Sequence, residues 1–139
     1  MPELPEVETI VRDIRPEVLG RTVVRAALSH VDVLRGVTRP ALLRGLAGVM
    51  GARRLVVQPG MTGSLVVHDR PLNEEEARYA VLRATLDDGR TLVYRDVRRL
   101  GPRLWLGATG WARYGAAVGP EPLAPEFTPA VMQAQVGRT

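Results

Sequence analysis

The sequence predicts a mainly β domain, a sandwich or barrel of short strands flanked by one or two helices. Three observations carry this. The chain has 139 residues, one domain's worth, with a globular balance of 45% hydrophobic and 24% charged side chains. Near the N-terminus Val7, Ile10, Val11 and Ile14 recur at helical spacing. Beyond them, short Val- and Leu-rich runs alternate with Gly, Pro and Asp turns, the mark of strands rather than long helices.

Taken in order, Pro5 suits the first position of a helix, and Glu6 and Glu8 load its first turn with negative charge. Pro16 and Gly20 end it. Residues 22–28 read as a strand and 39–46 as a short helix, weakened at its end by Gly45 and Gly48. Leu55-Val56-Val57 is a short apolar run. Gln58-Pro59-Gly60-Met61-Thr62-Gly63 then turns into a strand over 64–68, and residues 70–78 read as a polar loop. Asp87-Asp88-Gly89-Arg90 between residues 80–86 and 91–95 is a hairpin signal. One more strand fits 104–106. Residues 119–129, with Pro120, Pro122, Pro125 and Pro129, form a linker, and Thr128-Pro129 can cap and start a final helix. Trp105, Trp111, His30 and His68 are assigned to packing.

Composition removes several kinds of chemistry. There is no cysteine, so a disulfide scaffold, a thiolate metal site and a Cys nucleophile are excluded in this chain. Two histidines leave little material for a transition-metal site. No apolar run approaches a membrane span, and the acidic opening is not a signal peptide. All 19 basic residues are arginine, against 15 acidic ones. Arginine's planar fork suits phosphate and base edges, although a GC-rich genome produces the same bias. Without lysine, any amine nucleophile must be the chain terminus.

That places weight on Pro2. Removal of Met1 exposes a secondary amine, and an α-amino group has a pKa of about 7.7–8.0, so an appreciable fraction is unprotonated at neutral pH. Such an amine can attack a sugar C1′ or an aldehyde and form an iminium. Glu3 beside it can move protons at that carbon, with Glu6 one turn further on. Taken alone, Met-Pro-Glu is common and reads as a lead into a helix. Met61 in its glycine-flanked turn reads on its own as a core plug, and Arg98-Arg99 after a strand as a solvated face.

The longer strings are more specific. Pro2-Glu3-Leu4-Pro5-Glu6-Val7-Glu8-Thr9 resembles the N-terminal signature of the formamidopyrimidine-DNA glycosylase family, the Fpg/Nei base-excision enzymes. In the same order, Pro59-Gly60-Met61-Thr62-Gly63-Ser64-Leu65 resembles the family's void-filling methionine loop, and Leu86-Asp87-Asp88-Gly89-Arg90 its hairpin. Tyr94-Arg95-Asp96-Val97-Arg98-Arg99-Leu100-Gly101 resembles its Asp-Pro-Arg-Arg-Phe-Gly loop.

The resemblance implies an Fpg/Nei N-terminal-like β-sandwich with an N-terminal helix. It implies a bifunctional glycosylase and abasic-site lyase of base-excision repair, acting on oxidised purines such as 8-oxoguanine and formamidopyrimidine in double-stranded DNA. Pro2 is then the nucleophile, Glu3 its proton-transfer partner and Glu6 a support for the helix end. Met61, Arg98 and Leu100 map onto the three positions that fill the gap left by an extruded base, and Arg99 onto a phosphate clamp. The implied protein is a cytoplasmic, nucleoid-associated bacterial monomer without membrane contact. No cofactor is expected in this chain, since the family's zinc finger belongs to a C-terminal domain. Residues 1–118 are expected to be the catalytic domain, and 119–139 a linker and the start of an absent helix–two-turn–helix and zinc-finger domain.

The pattern is also broken. The family's lysine-bearing strand after Arg54 has no counterpart, since Ala52-Arg53-Arg54 runs directly into Leu55-Val56-Val57-Gln58. Leu100 stands for the family's phenylalanine and Val97 for its proline, and Tyr79-Ala80-Val81 replaces a His-rich approach to the hairpin. Alternative readings are a catalytically degenerate module that binds damaged DNA, or an unstable fragment.

Overall fold

The structure is a computed structural model that describes residues 4–35, 37–47, 54–57, 62–99, 103–106 and 108–136. They fall into two compact units, Met1–Leu106 and Gly107–Thr139.

The first unit begins with α1 (Leu4–Val18), whose Val7, Ile10, Val11, Ile14 and Val18 form a half-buried stripe, while Thr9, Arg12, Asp13, Arg15 and Glu17 are exposed. Pro16 does not end it. The helix continues two residues past Pro16, Leu19 N–H still reaches Arg15 O at 2.9 Å, and the stop comes at Gly20 with φ +77°. In the last turn Pro16 costs only one donor, which is why the helix tolerates it.

Strands β1 (Val23–Leu28), β2 (Leu34–Arg35), β3 (Arg54–Val57), β4 (Gly63–His68), β5 (Ala80–Leu86), β6 (Thr91–Asp96) and β7 (Arg103–Leu106) build two sheets. One is wholly antiparallel, in the order β1-β5-β6-β4. The other runs β2-β7-β3, with β2 parallel and β3 antiparallel to β7. The β5–β6 hairpin forms where its sequence predicts. Gly89, at φ +85°, donates to Leu86 O at 3.0 Å, and Leu86 N–H returns to Arg90 O at 2.8 Å. The Arg90 side chain closes the turn on Asp88 and, across the chain, on Glu17 of α1. Arg90 also holds the Asp88 carboxyl below its ordinary pKa, through its guanidinium first.

Both sheets feed one core. Leu28, Leu82 and Tyr94 from the larger sheet pack with Val33 and with Leu42 and Leu46 of α2 (Arg39–Leu46). Val57 of β3 and Leu34 of β2 pack against the same cluster. A register shift between Ala80 and Leu82 puts a bulge in β5, so Ala80, Val81 and Leu82 are buried in succession instead of alternating.

Residues 70–78 are not simply a loop. They contain α3 (Glu74–Arg78), opened by a capping box: Glu76 N–H donates to Asn73 Oδ1 at 2.8 Å, and Asn73 N–H donates to Glu76 Oε2 at 2.9 Å. Arg70 grips the same Glu76 carboxylate with both guanidinium nitrogens, at 2.8 and 2.9 Å. The Arg70 hydrogen bond first, and the Asn73 amide next, pull the Glu76 carboxyl down to about 2.

The second unit contains α4 (Ala108–Val118) and α5 (Pro129–Val136). The sequence reading contained no helix over 108–118. Trp111 and Tyr114 stack on α4 with ring centroids 6.0 Å apart, and Gly119, at φ +91°, ends it. The segment between the helices is a series of turns. Thr128 caps α5, accepting from Val131 N–H at 3.4 Å. Among the described residues no helix is long and apolar enough to cross a membrane.

Candidate nucleic-acid interface

Strand β6 is central in its sheet, and the loop that follows it carries Arg98 and Arg99. Alternation along β6 sends Tyr94 and Asp96 to the same face, where they are 1% and 2% exposed. A buried carboxylate needs partners on both oxygens, and Asp96 has them. Its Oδ1 accepts from Thr62 Oγ1 at 2.9 Å, Arg99 N–H at 3.0 Å and Arg98 N–H at 3.2 Å. Its Oδ2 accepts from the Tyr94 hydroxyl at 3.2 Å.

This carboxylate shapes the loop. Bonds to the amides two and three residues on fold residues 96–99 into an Asx turn, with Arg99 in the left-handed region at φ +52°. That conformation costs a non-glycine residue roughly 1–2 kcal/mol and persists only where surrounding bonds over-determine it. The bonds to Asp96 supply that determination. Thr62 ties in a second segment, since its hydroxyl also accepts from Arg98 N–H at 3.3 Å. Loop 96–99 is therefore joined to Thr62, the residue just ahead of β4.

The two arginines differ. Arg98 is exposed, and among the described residues no hydrogen bond or ion pair is made by its guanidinium. Arg99 Nη1 lies 3.0 Å from His30 Nδ1 and 3.4 Å from Asp32 Oδ2. Since a guanidinium only donates, His30 Nδ1 is the acceptor, which puts the proton of the neutral ring on Nε2. His30 is thus a positioning partner of Arg99 and not only a packing residue. Beneath Arg99 a shallow cavity of ≈ 210 Å³ is lined by His30, Arg78, Tyr79, Asp96, Val97 and Arg99. The Arg78 guanidinium lies 5.4 Å from the Tyr79 ring centroid. Two arginines, Arg78 and Arg99, around one concavity at a strand end give a surface suited to phosphate.

Of the expected site residues, Arg98 and Arg99 are brought together here. Pro2, Glu3, Met61 and Leu100 lie outside the described residues, as do the side chains of Glu6 and Trp105. The sequence reading missed Thr62, Tyr94 and Asp96 as the groups that hold the loop. The Asp-x-Arg-Arg spacing, an Asx-turn signal, was the available clue. His68 sits with its Nδ1 3.9 Å from Glu76 Oε1. Among the described residues no group of His, Cys, Asp or Glu side chains is arranged to hold a metal.

The family model for the formamidopyrimidine-DNA glycosylase N-terminal domain matches residues 1–50 and 45–103. The chain belongs to this family. The formamidopyrimidine-DNA glycosylase of Chloroflexus aggregans is 37% identical over 95% of this chain, and that of Geobacter sulfurreducens 38% identical over 91%. The chain spans about half the length of these curated relatives, 53% and 52% respectively. Among solved structures, the Lactococcus lactis glycosylase bound non-covalently to DNA containing an abasic site superposes with a TM-score of 0.78. It matches 97% of this chain and 57% of that one at 21% identity. The same enzyme in complex with FAPY-dG-containing DNA gives 0.79 at 20% identity. The fold of the formamidopyrimidine-DNA glycosylase N-terminal domain, a helix leading into an antiparallel sheet with flanking helices, is therefore the fold of this chain.

Proposed function

We propose that this chain is the catalytic half of a DNA glycosylase and abasic-site lyase of base-excision repair. Its substrate is double-stranded DNA carrying an oxidised purine, and its setting is the bacterial cytoplasm and nucleoid. The observation that carries this reading is the Asp96-held loop. It fixes the backbone of Arg98 and Arg99 at the open end of a central strand, in a chain that belongs to this glycosylase family. Arg98, whose guanidinium makes no bond among the described residues, bonds the base left unpaired when its partner is extruded, and Arg99 clamps phosphate. Met61 and Leu100 fill the stack beside them.

On this reading Met1 is removed and the Pro2 nitrogen attacks C1′ as the damaged base departs with the bonding pair. Glu3 passes a proton to O4′ as the C1′–O4′ bond breaks to give the iminium, which acidifies C2′ so that loss of its proton expels the 3′ phosphate, the 5′ phosphate following. Glu6 supports the start of α1. Residues 1–118 act as the catalytic domain, and 119–139 lead toward a domain that supplies further DNA grip and the family's zinc.

A second reading, a module that holds damaged DNA without chemistry, is favoured by one observation: the chain contains no lysine to take the role of the family's catalytic one. Borohydride trapping on a duplex with one abasic site, read by intact mass, separates the two. The enzyme reading expects a covalent adduct whose protein part lacks Met1, and no adduct when Met1 is retained. Folded, correctly processed protein that yields no adduct overturns that reading and leaves the binding module.

A further inference from the structure

Away from the Arg98 loop, the four-stranded sheet carries a second concentration of basic groups. Register places Arg25 opposite Thr85, Ala27 opposite Arg83, Thr85 opposite Thr91, and Thr91 opposite His68. Directly opposed residues share a face, so Arg25, Arg83, Thr85 and Thr91 all stand on the face opposite the Leu82–Tyr94 core. There they line a cavity of ≈ 370 Å³, with Leu72 and Ala77 from the α3 region as its apolar wall.

Among the described residues that line it there is no acid. Arg25 and Arg83 are diagonal neighbours across the β1–β5 ladder, so their charges repel without a carboxylate between them. Arg83 is held in place, with Nη2 donating to Ala77 O at 3.0 Å. Its Nε is shielded from solvent and has no acceptor among the described residues. A buried charged donor without an acceptor is a defect that a bound anion corrects.

We propose that this cavity is an oxyanion site for a phosphoryl group, distinct from the Arg98–Arg99 surface. The fixed Arg83 fork and the Arg25 guanidinium neutralise the charge, and the Thr85 and Thr91 hydroxyls bond the remaining oxygens. The volume exceeds that of a bare phosphate, leaving room along Leu72 and Ala77 for the organic part of a phosphate ester.

Calorimetric titration of the whole chain with inorganic phosphate, at constant ionic strength, tests this. One site per chain is expected, weakened about tenfold or more in Arg83→Gln and a few-fold in Arg25→Gln and Thr85→Val. Arg25 is exposed, so that variant keeps the test valid should Arg83→Gln misfold. Phosphate binding that is unchanged in Arg25→Gln and in Thr85→Val marks an adventitious ion only and overturns the proposal. Repeating the titration with duplex DNA present identifies the source of the phosphoryl group. Undiminished binding means a small phosphate ester; competition that persists in Arg98→Ala/Arg99→Ala means a backbone phosphodiester.

Discussion

The two sheets of the first unit share one core but are unequally built. Strands β1, β5, β6 and β4 have six or seven residues each, and β4 and β6 pair continuously from Gly63–Asp96 to His68–Thr91. Strands β2, β7 and β3 have two, four and four residues, and β3 begins at Arg54, where the sequence reading places a lost strand. The family match is also divided, its two parts meeting between residues 45 and 50. Yet the loop that holds Arg98 and Arg99 rises from the long sheet. Its anchor, Asp96, draws partners from β6, from loop 96–99 itself and from Thr62 just ahead of β4. Local integrity of the Arg98–Arg99 loop therefore depends on the sheet that bears it, even where the opposite sheet is short.

That contrast can be broken experimentally, and the largest effect is expected at Asp96. Asp96→Ala removes the buried acceptor that two amides and two hydroxyls share, which should lower stability by about 3–5 kcal/mol. Urea unfolding would show it, and a loss below about 1 kcal/mol would mean that the carboxylate does not hold the loop. Next comes a matched pair of truncations, one in each sheet. Leu82→Ala, fully in the core, should cost about 2–4 kcal/mol, whereas Val57→Ala on the half-buried β3 should cost about 1 kcal/mol. Equal losses would erase the distinction between the sheets. A change of about the same size as for Val57→Ala, about 1 kcal/mol, is expected for Asn73→Ala, which opens the α3 capping box.

The smallest effect is a dependence on pH. Glu76 is held at about 2 in the folded chain by Arg70 and the Asn73 amide, below its ordinary 4.5. Its contribution is therefore complete above about pH 4.5 and is lost as pH falls toward 2. Amide exchange in α3 should rise through that window, and Glu76→Gln should flatten the rise.

The sequence was most legible where one local rule decided the structure. The amphipathic stripe of α1, the Asp88-Gly89 hairpin and the Thr128-Pro129 helix start each formed as read. It was least legible where rules competed. Three consecutive glutamates made residues 70–78 look like a solvated loop, although Asn73 and Glu76 spell out the cap. Gly110 and Gly115 hid α4, because glycine's low helix propensity outweighed the surrounding alanines. At the site, Arg98 and Arg99 were legible from the motif. Their support was not, because Thr62 and Asp96 are separated by 34 positions and no periodicity links them.

The most direct measurement is fluorescence anisotropy of duplexes with and without one abasic site, titrated with the chain and with Arg98→Ala and Arg99→Ala. Arg98→Ala should remove the preference for the abasic duplex while leaving affinity for intact DNA within a few-fold. Arg99→Ala should weaken both and reduce the salt dependence by about one phosphate contact. Identical binding of both duplexes by all three proteins would contradict the assignment of loop 96–99 as the damage-reading surface.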